Sequence, residues 1–117
     1  MQSTFKIFKN ALNGVGKALY LEQNLRFHFV ATTLLIVLGV ACRITRMEWF
    51  IQLICIGSVI SLELANTAIE KLCDVVHPSF NKKIGNIKDM AAGAVFVMVI
   101  ISIAIGLSIY LPKLLEI

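Results

Sequence analysis

Four polar residues, Glu63, Asn66, Glu70 and Asp74, recur in an otherwise apolar stretch at i, i+3, i+7 and i+11. At 3.6 residues per helical turn they share one narrow face. Leu62, Leu64, Ala65, Ala68, Ile69 and Leu72 fill the rest of those turns. A carboxylate placed in hydrocarbon costs roughly 2.5–3.5 kcal/mol on insertion scales. A helix carrying two of them must aim that face at a partner, an ion or a ligand. An asparagine alone would serve to join helices in a membrane bundle. Two glutamates around an asparagine suit that purpose poorly, because like charges on one face repel unless a cation or a proton intervenes. The chemistry this set offers is metal binding and proton transfer.

Glu22 and the pair Lys88-Asp89 fall at the same membrane level when the chain is threaded as described below. Together these groups form a kit for phosphoryl transfer. Carboxylates hold magnesium, and a lysine meets phosphate as a point charge. Glu63, the deepest carboxylate, is placed to take a proton from a hydroxyl, and a lipid alcohol presents its hydroxyl at that depth. The sequence contains no Gly-rich phosphate loop and no protein-kinase signature, so a nucleotide site would be built from helix ends. Taken alone, Glu22 is an ordinary charge at a helix end and His77 an ordinary loop histidine.

The elements that must position these groups follow from composition. Of 117 residues, 58% are hydrophobic and only 15% charged, which is too apolar for an ordinary soluble domain. An all-α integral membrane fold is predicted, a single domain over 1–117. Spans are expected at about 27–44, 48–74 and 86–111, behind an amphipathic surface helix at about 3–22. In that first helix Phe8, Leu12, Val15 and Leu19 line one side and Lys6, Lys9, Asn10, Asn13 and Lys17 the other. Ser3 or Thr4 caps its start. Gly14 and Gly16 fit either a bend or the close approach of another group. Trp49 is expected at the membrane interface, His77-Pro78 at the end of the second span, and Pro112 at the end of the third. The first span, which contains His28, carries no other distinguishing signal.

The formal charge of +4 does not point to nucleic acid, because the basic residues flank apolar segments. Lys6, Lys9, Lys17 and Arg26 precede the first span, and Lys71, Lys82, Lys83 and Lys88 lie between the second and third. Only Arg43 and Arg46 separate the first two spans. The positive-inside rule therefore puts the amino terminus in the cytoplasm. Cys42, Cys55 and Cys73 have neither disulfide nor metal-ligand spacing and read as small buried hydrophobes. Ala91, Ala92, Gly93 and Ala94 invite another helix to approach, and three spans are few to enclose a site, so a homo-oligomer with shared sites is expected. A non-catalytic adaptor or small transporter or channel subunit is the competing reading. It suffers from the sparse polar groups of the outer half, Gln52 and Ser58 in one span and Ser102 and Ser108 in another.

The run from Glu63 through Asn66 and Glu70 to Asp74, followed by Ile87-Lys88-Asp89-Met90-Ala91-Ala92-Gly93, resembles the bacterial diacylglycerol kinase family of small membrane kinases. Phe8 to Gly14 and the segment Glu22-Gln23-Asn24-Leu25-Arg26 look like its undecaprenol kinase branch. The resemblance covers about residues 5–113. It implies a homotrimer in the cytoplasmic (inner) membrane. It implies transfer of the γ-phosphate of ATP, with Mg2+, to a membrane lipid at the cytoplasmic face. By position, Glu22 and Glu70 would bind the metal and nucleotide, Glu63 would be the general base and Asn66 would orient groups in the site. Lys88 and Asp89 would serve nucleotide binding. Asn24 and Arg26 match a segment that varies between branches, and the acceptor stays open between diacylglycerol and undecaprenol.

Overall fold

A computed structural model describes residues 3–79 and 81–116. Its four helices are α1 (Thr4–Leu21), α2 (Gln23–Cys42), α3 (Arg46–Val76) and α4 (Lys82–Leu115). No strand occurs among the described residues. The last three helices are long and apolar enough to cross a membrane. At 1.5 Å per residue α3 is roughly 46 Å long, more than the ~30 Å of a bilayer's hydrocarbon. One end of it must therefore stand among the headgroups.

Each boundary has a local cause. Ser3 caps α1, its hydroxyl accepting from the Lys6 amide at 3.2 Å. Glu22 adopts an extended conformation (φ −114°, ψ 115°) that ends α1 and starts α2. The last carbonyls of α1 are not abandoned there. Arg26 Nη1 donates to the carbonyl oxygens of Leu19 at 3.0 Å and Tyr20 at 2.8 Å. The guanidinium thus clamps α1 to the first turn of α2. No residue of α1 is buried, and nothing approaches Gly14 or Gly16, both of which are helical.

At the opposite end α2 stops on Arg43, whose φ of 53° is left-handed. The Ile44 amide returns to the Gly39 carbonyl at 3.2 Å, closing the last turn. Thr45 and Glu48 then form a reciprocal capping box, so α3 begins at Arg46 rather than Glu48. Trp49 is packed within the bundle. Its ring lies against Gly39, 2.8–2.9 Å from where a β-carbon would stand. Ile44, Ile109 and Tyr110 form a small core there, with Leu35, Leu38 and Ile105 packed on it.

The third apolar helix differs from expectation at both ends. Asn81 caps it, accepting from Lys83 N at 2.9 Å and Ile84 N at 3.3 Å, which starts α4 before Asn86 and places Gly85 within it. Phe80 lies outside the described residues, as do Met1, Gln2 and Ile117, so the expected Ser79–Gly85 loop is described only in part. Pro112 does not end the helix, which continues to Leu115. Proline forfeits one amide bond to the preceding turn. Near a terminus that loss is small, and Lys113 beyond it reaches Glu48 at 3.2 Å. α3 packs most extensively on α4.

The Gly39 contact has a direct consequence. Gly39→Val drives a branched side chain into Trp49 and should destabilise the fold by roughly 1–3 kcal/mol. Unfolding in detergent, followed by Trp49 fluorescence, measures the shift.

Candidate active site

The polar stripe of α3 is where the helices' charged groups gather. Glu63 and Asn66 are buried, while Glu70 and Asp74 toward the helix end are exposed. This gradient matches the length argument, since only the last turns extend past the apolar layer. Asn66 Nδ2 donates to Glu70 Oε1 at 3.2 Å along the helix. The Asn66 Oδ1 atom is buried with no partner.

Two ion pairs bring the remaining groups to the same end. Lys71 Nζ lies 2.8 Å from Glu22 Oε1 and ties the α1–α2 junction to α3 beside Glu70. Lys88 Nζ lies 2.6 Å from Asp74 Oδ1 and ties the first turns of α4 to the last turns of α3. Glu22, the stripe and Lys88 are therefore assembled in one chain. Asp89 is exposed at the start of α4. His77 is turned to its own loop, with Nδ1 2.8 Å from the Ser79 carbonyl oxygen, and its amide caps α3 on Cys73. The three cysteines are free thiols, Cys55 and Cys73 buried.

His28, which nothing in the sequence marks as part of the stripe, stands beside it. Its Nε2 stands 3.7 Å from Glu63 Oε2. The signal was a lone histidine inside an apolar span, but spacing within α2 gives no clue that it faces an acid on α3. Arg26 was undervalued for a similar reason, since its carbonyl partners lie across a helix break.

From His28 a cavity of about 460 Å³ runs between α2, α3 and α4 to Gln52 and Tyr110. Thr32, Val59, Ser102 and Gly106 are among its walls, which are overwhelmingly apolar. Along α3, Glu63 and Gln52 are eleven residues apart, roughly 16 Å of helix. At the far end Tyr110 Oη donates to Gln52 Oε1 and closes the slot between α3 and α4.

Among the described residues no three His, Cys, Asp or Glu side chains converge as a ready-made metal cage. Magnesium does not require one, because it is held by one or two carboxylates together with substrate phosphates and water. Glu70, next to Asn66, and Glu22, paired with the neighbouring Lys71, fit that partial donor set in chemistry.

The fold and site define an α-helical membrane protein with an acidic centre at one end and an apolar slot leading away from it. Residues 9–110 match the family described as prokaryotic diacylglycerol kinase. The chain is 40% identical over 110 residues to the undecaprenol kinase of Bacillus subtilis (strain 168), covering 94% of this chain and 89% of that one. It is 30% identical over 110 residues to a diacylglycerol kinase of Synechocystis sp., covering 93% of this chain and 63% of that longer protein. The chain belongs to the prokaryotic diacylglycerol kinase family, a family of lipid kinases.

Proposed function

We propose that the protein transfers the γ-phosphate of ATP, with Mg2+, to the hydroxyl of a membrane lipid at the cytoplasmic face. One observation carries the reading: a buried carboxylate, Glu63, shares its helix face with Glu70 and stands 3.7 Å from His28, which lines a long apolar slot. A soluble substrate has no use for such a slot, whereas a lipid alcohol places its hydroxyl at Glu63 and its hydrocarbon chain along α2 and α4. Glu63 acts as general base on that hydroxyl, and Asn66 orients it through its unpartnered carbonyl oxygen. Glu22 and Glu70 hold the metal, which neutralises phosphate charge when bound. Lys88 and Asp89 serve the nucleotide, Lys88 leaving Asp74 to meet phosphate.

The basic residues around α1 and before α4 support a cytoplasmic amino terminus. There α1 lies on the membrane, its phenylalanines and leucines inward and its lysines toward the headgroups. The small-residue face at Ala91–Ala94 supports a homotrimer. Nothing in this chain approaches Gly93, which leaves room for a neighbouring copy. Undecaprenol is the acceptor we favour, because the relative of that name is the more similar of the two and matches over nearly its whole length. Diacylglycerol is the second acceptor to test.

Purified protein with magnesium-ATP and either lipid in mixed micelles should phosphorylate the lipid, undecaprenol faster. No phosphorylation of either overturns the reading. Glu70→Gln should lower kcat by roughly 100-fold or more without changing the helical circular-dichroism signal. Full activity of that variant removes the metal role. Gly106→Phe fills the slot away from the acidic centre and should raise the KM for the lipid several-fold while leaving that for ATP unchanged, which steady-state kinetics will read.

A further inference from the structure

Glu63 is the deepest acid of the site, and among the described residues one basic side chain lies within ion-pair range of it. That side chain is His28, with Nε2 3.7 Å from Glu63 Oε2 and side chains only 23% and 10% exposed. Of the other cations at this end, Lys71 pairs with Glu22, Lys88 with Asp74 and Arg26 with the Leu19 and Tyr20 carbonyls, while Lys82 and Lys83 are exposed in the first turn of α4. From Asp89 to Lys113, α4 carries no charged residue, and α2 carries none between Arg26 and Arg43 apart from His28 itself if protonated. The lysines of α1, Lys6, Lys9 and Lys17, are exposed. On α3 the neighbouring polar group is Asn66, whose amide is spent on Glu70. The imidazole also has a second surface to meet, because it lines the apolar slot. The Phe27 ring stands edge-on to it, centroids 5.9 Å apart.

We propose that His28 is a positioning residue for Glu63, bounding one carboxylate oxygen so that the other meets the acceptor hydroxyl. The proposal rests on the reading of Glu63 as general base. The imidazole reaches the carboxylate from α2, so the contact sets how the acid is turned relative to the slot that the same ring lines. His28 makes and breaks no bond to the lipid.

The test is steady-state kinetics of the full-length protein in mixed micelles. His28→Gln keeps a polar group of similar reach and should retain kcat within about threefold. His28→Ala should lose about tenfold or more in kcat with the KM for ATP unchanged. Full kcat in His28→Ala overturns the proposal, as does a loss in His28→Gln as large as that in His28→Ala. If His28→Ala fails to assemble, His28→Leu takes its place, and full kcat in that variant overturns the proposal. Glu63→Gln is the control for the underlying reading. If it stays active, Glu63 is not the base. If it is inactive while His28→Ala keeps full kcat, only the role of His28 fails.

Discussion

An acid set into an apolar bundle must be compensated where it sits, because hydrocarbon offers neither water nor counter-ions. Glu63 imposes that requirement on this fold. The basic side chain within reach of it comes from α2, His28, and not from its own helix. The crossing of α2 over α3 is therefore tied to the acid, and the register of the two helices decides whether the site exists. Toward the helix end the requirement relaxes. Glu70 and Asp74 are exposed, and pairs such as Lys71 with Glu22 and Lys88 with Asp74 sit where water shares the charge. Exposed pairs of this kind contribute little stability. Their value lies in gathering three helices at one place while leaving the carboxylates easy to re-partner.

The two ends of the bundle are held by different groups. At the end away from the acids Trp49 packs against Gly39, Tyr110 bonds to Gln52, and Glu48 is shared between Thr45 and Lys113. At the acidic end the carboxylates gather. Each end keeps a buried polar atom without a partner, Gln52 Nε2 at one and Asn66 Oδ1 at the other. Such atoms are rare because each costs free energy. The slot runs between the two ends, apolar along its walls and polar at its two ends.

Much of this was legible without coordinates. The three spans follow from hydropathy, and the stripe from the helical period applied to Glu63, Asn66, Glu70 and Asp74. Thr45-x-x-Glu48 is a capping box written in the sequence, and Asn81 is an ordinary helix cap. Pro112 misled because proline's rule weakens where a helix has few turns left to lose. Gly14 and Gly16 lie within a continuous helix rather than at a bend, and among the described residues nothing packs on them.

Residue type and spacing alone determined that this chain would be helical, would lie in a membrane and would carry acids on one face, because periodicity and transfer free energy act within a single segment. Which cation meets which acid was decided only by the tertiary structure. Lys71 turns to Glu22 and Lys88 to Asp74, while His28 turns to Glu63. Those partners lie on different helices, and their meeting depends on crossing angle and relative register. Neither quantity is encoded in any one segment's pattern, which is why the histidine beside the deepest acid went unseen until the helices were packed.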